Sequence, residues 1–227
     1  APFMGNFADA LCRQGHEVIV LTPFDKNLVR NLRTPYKIVF YRYIFPVFLH
    51  RLGYSRTLKG DKGLKLEAYF LSPFFFLFGF FALLRLVKDK KVDIVSSHWI
   101  IPNGFIAALV YKITGVPFTV TIPGSDVYLG GKNKLFRAMV NFAAKNARVV
   151  LSDNSAYIQQ LRGLGIHPVK TSIIPYGVNP GKFKPEKKDR KLLRKLGVND
   201  KDSVILAVGR LVSKKGFKYL IQAMPYI

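Results

Sequence analysis

The 227-residue chain holds a single cysteine, Cys12, so no disulfide framework is open to it. Its four histidines show no spacing that suits zinc, and no metal site is expected. Acidic residues are scarce: 13 Asp and Glu stand against 36 Lys and Arg, a net charge of +23. No cationic leader followed by a short apolar segment opens the sequence, and the expected setting is reducing and cytosolic. What is plentiful excludes disorder, because hydrophobic residues make up 49% and aromatics 14%, enough for a sizeable core.

So one-sided a charge calls for an anionic partner: nucleic acid, lipid or phosphorylated substrate. No RNP-like strand, zinc-finger spacing or helix-turn-helix is present, and nucleic acid is not expected. Cations gather between Lys26 and Lys65, where Arg30, Arg33, Lys37, Arg42, Arg51, Arg56, Lys59 and Lys62 interleave with Tyr36, Phe40, Tyr41, Tyr43, Phe45, Phe48 and Tyr54. That mixture suits an anionic membrane surface. A second gathering, Lys182 to Lys195, reads equally well as a solvated helix.

The pattern along the chain alternates between periods. Strands are expected at Glu17–Thr22, Ile38–Tyr43, Val92–Ser96, Phe118–Ile122, Arg148–Ser152 and Thr171–Ile174. Helices are expected at Phe7–Gln14, Leu66–Lys88, Phe105–Thr114, Lys134–Asn146 and Ser155–Leu164. Strand–helix–strand repeats imply an α/β domain with one parallel, doubly wound, Rossmann-like sheet, in which Val92–Ser96 and Phe118–Ile122 are interior strands. The segment PYGVNPGKFKP, rich in Pro and Gly, marks a boundary after Pro175. Residues 1–175 are then one domain, and 176–227 hold the crossing and the start of a second, with a helix at Lys187–Leu196. The second part is too short to bury a core, so the expectation is a fragment cut at its C-terminus and lacking its first strand.

Ala68–Leu84, AYFLSPFFFLFGFFALL, carries no charge, but Ser72, Pro73 and Gly79 are expected to interrupt it as a membrane span, which needs roughly 20 apolar residues. It reads as a buried helix or as one with a face dipping into a bilayer. In the second part, the apolar run VILAV from Val204 ends at Gly209-Arg210, and Lys215 stands just before Gly216. A strand followed by a helix is expected there, with both cations in the connection, where a diphosphate suits a planar fork and a point charge. Two solvated loop cations are the plain alternative. Asp200-Lys201-Asp202 has a metal-binding form but precedes a strand, and reads as a solvated turn.

Together PFMGNF, GHEVIVLTP, DIVSSHWIIPNG, TIPGSDV, SIIPYGVN and VGRLVSKKG, in this order over nearly the whole chain, resemble the GT4 family of retaining, nucleotide-sugar-dependent glycosyltransferases of the GT-B fold. The resemblance implies two Rossmann-like domains, the N-terminal one for the acceptor and the C-terminal one for the donor. It implies a nucleotide-sugar co-substrate with no other cofactor, retaining transfer of hexosyl type, and a glycan or lipid-linked acceptor at the inner face of the cell membrane. Residue by residue, Arg210 and Lys215 with Gly209 would bind the donor diphosphate and stabilise the leaving group. Gly5 would lie in a glycine loop near the donor. His98 and Trp99, followed by Pro102 and Gly104, match the family's residues at a strand end, and Ser125 with Asp126 matches the next loop. Each has a plainer reading, as a helix-entry turn for Gly5, a structural hydrogen bonder for His98 and a backbone cap for Asp126.

Two departures weigh on the activity. Pro123 and Ser96 stand where many relatives carry histidine, and proline offers no side-chain donor or acceptor. The fragment alone is expected to be inactive. A non-catalytic relative that binds membrane or a partner, and a sugar-nucleotide epimerase of the same fold, remain open alternatives.

Overall fold

The computed structural model describes residues 2–25, 33–53, 58–59, 63–64, 66–124, 127, 130–131, 133–181, 183–185, 189–199, 202–209 and 211–227. The chain divides into two compact units, one of Ala1–Thr57 with Lys65–Tyr176 and the other of Leu58–Leu64 with Gly177–Ile227.

The first unit opens with α1 (Pro2–Arg13) and continues with the strands β1 (Ile19–Pro23) and β2 (Lys37–Tyr41), which pair in parallel. After the long helix α2 (Leu66–Lys90), its elements are β5 (Val95–His98), α3 (Phe105–Thr114), β6 (Phe118–Ile122), α4 (Lys134–Asn146), β7 (Val149–Ser152), α5 (Ser155–Gly163) and β8 (Thr171–Ile173). The two-residue strands β3 (Leu58–Lys59) and β4 (Gly63–Leu64), assigned to the second unit, form an antiparallel hairpin that the alternation did not foretell. Strands β5 to β8 form a parallel ladder in chain order.

All six expected strands of the first unit exist and run parallel, but as two ladders, β1–β2 and β5–β8, with no hydrogen bonding between them among the described residues. The expectation of one continuous sheet is corrected accordingly. β5 begins three residues and ends two residues later than the sequence pattern suggested and is an outer strand of its ladder, so Val92–Ser96 is not an interior strand. β6 is interior, with Phe118, Val120 and Ile122 on one face fully buried. Each such side chain contributes about 1.5–3 kcal/mol by leaving water.

Local chemistry sets the helix limits. Asn133 caps α4 by accepting the Phe136 amide proton at 2.8 Å, and Asn154 caps α5 through the Ala156 amide at 2.8 Å. Ser152, fully buried between these elements, donates its hydroxyl to the Asn154 carbonyl at 2.9 Å. Helices α3, α4 and α5 enclose the core with Ala107, Ala108, Val140, Ala143, Ala144 and Leu161, against Val120 and Val150.

Helix α2 runs unbroken through Ser72, Pro73 and Gly79, contrary to the expected interruption. The carbonyl that Pro73 leaves without a helical donor belongs to Tyr69, which is exposed and open to water. Gly79 lies in a close contact, since a Cβ there would stand 3.1 Å from Ile106 and 3.3 Å from the Tyr41 hydroxyl.

In the second unit, α6 (Arg190–Lys195) is capped by Asp189, and α7 (Phe217–Ala223) follows a 3-10 turn at Ser213–Lys215. No described residue from Gly177 onward is buried. The expected strand at Val204–Val208 is not formed: the run has no ladder partner among the described residues, and Leu206 and Val208 are 83% and 87% exposed. A strand gains its backbone hydrogen bonds from neighbours, and apolar composition alone does not supply them.

The bend after β6 gives a sharp test. Gly124 has φ +101°, and a Cβ there would overlap the Tyr157 ring at 2.2 Å, whereas Gly165, at φ +74°, has open space. Gly124→Ala is expected to destabilise the first unit by about 3 kcal/mol or more, and Gly165→Ala by about 1–2 kcal/mol. Urea unfolding of the two variants side by side checks this.

Candidate functional site

In parallel α/β sheets the loops beyond the C-terminal strand ends meet ligands. At that end of β5 the chain turns sharply. Trp99 has φ 66° and ψ 124°, a left-handed setting uncommon for a side chain of its size. Hydrogen bonds hold it there: the Trp99 amide donates to the Thr121 carbonyl at 2.9 Å, and the Gly104 amide to the Trp99 carbonyl at 3.0 Å. The Asn103 side chain donates to the His98 carbonyl at 2.8 Å. Gly104 is fixed by packing, because a Cβ would come within 2.9 Å of Val120.

His98 ends β5 with its ring between Phe3 and Phe7 of α1, at centroid distances of 6.1 and 5.9 Å, and Phe3 in turn meets Tyr176 at 5.0 Å. Burial pushes the imidazole below the ordinary histidine range, which favours its neutral form. Its Nε2 is buried and makes no hydrogen bond with the described residues. A neutral imidazole with one unengaged nitrogen can give or take a proton in a hydrogen bond to a hydroxyl.

The other expected site residues are placed differently. Gly5 lies inside α1, not in a loop before it, and the Tyr36 hydroxyl would stand 3.2 Å from a Cβ at that position. The Tyr36 phenol is itself pushed up, by burial first and then by Asp9 and Cys12. Ser125, Asp126 and Arg210 lie outside the described residues, as do Asp200 and Lys201. Asp202 accepts the Asn199 amide proton at 2.7 Å, closing a turn. In the second unit the Lys215 side chain passes Gly209, its Cγ 3.7 Å from where a Cβ would be, and Lys215 is exposed. Gly209 and Lys215 are thus brought together.

Sequence reasoning missed the aromatic surround of His98 and the pinning role of Asn103. Asn103 was visible within IIPNG, but only the fold shows its amide turned back on the strand. It also missed His50, which is 3% exposed and packed edge-on against Tyr43 at 4.6 Å and Phe24 at 5.4 Å. Burial, then the nearby Arg42, pushes this imidazole down. A cleft of about 670 Å³ lined by Pro117, Lys145, Arg148 and Lys170 lies at the opposite, N-terminal ends of β6 to β8. Lys145 there occupies the last turn of α4, where the helix dipole favours a cation without any ligand.

The profile of the Glycosyl transferase 4-like domain matches residues 1–177, and the chain belongs to this family. Among curated relatives, a Bacillus subtilis protein named as a teichuronic acid biosynthesis glycosyltransferase is 28% identical over 151 residues, covering 63% of this chain and 37% of the relative. The UDP-Gal:alpha-D-GlcNAc-diphosphoundecaprenol alpha-1,3-galactosyltransferase of Escherichia coli is 30% identical over 152 residues, covering 64% of this chain and 39% of the relative. The matched part is therefore under two fifths of these relatives' length. A sucrose-phosphate synthase structure from Thermosynechococcus elongatus superposes with a TM-score of 0.53 at 14% identity, covering 76% of this chain and 82% of that one. That likeness is one of fold, and it agrees with the α/β, GT-B class expected from the sequence.

Buried His50 and half-buried His98 predict a pH dependence. A histidine lowered by folding takes its proton first in the unfolded chain, so stability is full above about pH 6.5 and declines as the pH falls below it. The urea midpoint should drop between about pH 7.5 and 5.5. That drop should be smaller in His98→Gln and in His50→Gln, and smallest in the double variant.

Proposed function

We propose that the chain is the acceptor-side part, with the beginning of the donor-side part, of a retaining glycosyltransferase that moves a hexosyl group from a nucleotide-diphosphate sugar to a lipid-linked or cell-envelope glycan acceptor at the cytoplasmic membrane face. The observation that carries this reading is the place of His98, an imidazole whose burial favours its neutral form, at the C-terminal end of a strand in a glycosyl transferase 4-like domain. The left-handed backbone of Trp99 beside it supports the reading, because such strain persists where the surroundings hold it for a purpose. A relative whose name gives a diphosphoundecaprenol acceptor and a UDP-sugar donor supports the substrate class.

In this reading His98 hydrogen-bonds a hydroxyl of the incoming sugar or acceptor and orients it. Arg210 and Lys215, with Gly209 allowing close approach, meet the donor diphosphate. As the glycosidic bond to the donor breaks, negative charge grows on the departing phosphate oxygen, and fixed cations lower the barrier most at that moment. The acceptor oxygen loses its proton as it bonds to the anomeric carbon. The nucleotide sugar is a substrate, and no further cofactor is proposed.

Pro123 favours a second reading, a non-catalytic member of the family that binds membrane or a partner, because the loop after β6 lacks the imidazole found there in many relatives. A donor screen on the full-length protein, with radiolabelled sugar transfer to undecaprenyl-diphosphate-linked acceptors as the readout, separates the two. Transfer from one donor is expected, and none from any donor would favour the binding module. In the active protein Arg210→Ala and Lys215→Ala should each lower turnover more than about tenfold, and His98→Ala should lower kcat/KM comparably. Unchanged turnover in both cation variants would make them solvated loop residues.

A further inference from the structure

Helix α2 has two apolar faces. Its inward face holds Ala68, Leu71, Phe75 and Val87, all buried, with Phe75 set edge-on to Tyr41 at 5.8 Å and Tyr43 at 5.3 Å. Its outward face carries Leu66, Phe70, Phe74, Leu77, Phe78 and Phe81 at spacings of three and four residues, from 39% to 85% exposed. No element among the described residues covers them. This helix is long and apolar enough to cross a bilayer, yet only 22% of its most apolar window is buried. An exposed aromatic stripe of this length marks an interaction surface.

The stripe has neighbours of matching character. Arg51 and Glu67 form a salt bridge that ties the loop after β2 to the first turn of α2, and that loop exposes Phe45 by 86% and Phe48 by 65%. Residues 42–53 contain Arg42 and Arg51 and no acid, and the far end of α2 offers Arg85, Lys88 and Lys90 against Asp89. Tyr41 and Tyr43, two of the seven aromatics in the mixture that first suggested a lipid surface, belong instead to the interior packing beneath α2. The exposed aromatic surface therefore centres on the helix.

We propose that the outward face of α2, with Phe45 and Phe48 at its N-terminal end, docks on an anionic lipid bilayer with the helix lying in the membrane plane. This deepens the membrane-side reading given above and rests on it. A spanning helix would have to pull Phe75 away from Tyr41 of β2 and Phe76 away from Phe105 of α3. A second copy of the chain would set cationic ends against cationic ends, in a protein of net charge +23, whereas an anionic surface attracts them. Aromatic rings at headgroup depth flanked by cations are the arrangement of an interfacial helix.

The test is co-sedimentation of the full chain with vesicles of phosphatidylcholine alone or mixed with phosphatidylglycerol. Wild type should pellet with the mixed vesicles at low salt and be largely released at high salt. The triple variant Phe70→Ser, Leu77→Ser, Phe81→Ser should partition at least about tenfold less. Ile113→Ser with Leu135→Ser, exposed positions on α3 and α4, should leave binding unchanged. Single Phe70→Trp and Phe81→Trp variants should be quenched alike by brominated lipids, and clearly unequal depths would overturn the in-plane setting. Equal pelleting of wild type and the triple variant would overturn the proposal. So would the absence of wild-type binding to anionic vesicles, or a concentration-dependent dimer that the triple variant abolishes. Sugar transfer to a water-soluble acceptor analogue is measured in parallel. Transfer without vesicle binding would sink the docking surface alone, and vesicle binding without transfer to any acceptor would sink the enzymatic reading and leave the surface standing.

Discussion

The pairing of β5 with β6 is the constraint on which the first unit depends. β6 holds its neighbours on both edges, and its Phe118, Val120 and Ile122 anchor the core. The same strand shapes the chain beyond β5: Thr121 receives the Trp99 amide, and Val120 lies so close to Gly104 that a side chain at that position would collide with it. The backbone of the candidate site is thus an extension of a hydrophobic ladder. Its precision comes from burial some residues away, as a loop carrying chemistry requires.

The two units contrast in how their sequences are satisfied. In the first, apolar periodicity, capping asparagines and ladder register agree, which is the consistency expected of a chain that specifies one structure. In the second, the apolar run Val204–Val208 meets none of the partners its composition suits, and its side chains face solvent. The electrostatics divide along other lines. Burial shifts half-buried His98 and buried His50 toward their neutral forms, with Arg42 adding to the effect at His50, while most of the cations stay at the surface, where they act on partners and contribute little to the fold.

Much of this was legible beforehand. The limits of α3, β6 and α4 follow from Gly115 at a left-handed helix end, from Pro117 before the strand and from Asn133 as a cap, all local signals. β5 was misplaced because VDIVSSHW is amphiphilic throughout, and only pairing with Phe118–Thr121 selects Val95–His98. Periodicity reported six strands but not their division into two ladders, since hydrogen bonding between strands is a tertiary property. Within the candidate site, His98 and Trp99 stood out by their motif. The rings of Phe3 and Phe7 beside the imidazole, and of Tyr176 behind Phe3, come from both ends of the unit, and no local pattern joins them.

Gly79 has a consequence beyond the space it saves. With Ile106 and the Tyr41 hydroxyl close against the bare backbone there, the rotational setting of α2 is constrained. A roll by a single residue, about 100°, would drive a phenylalanine into that contact. The helix therefore behaves as a keyed shaft whose key is a missing side chain. The angle at which its outer phenylalanines leave the domain, and so the tilt of the whole first unit toward whatever they meet, is set from inside by an atom that is not there.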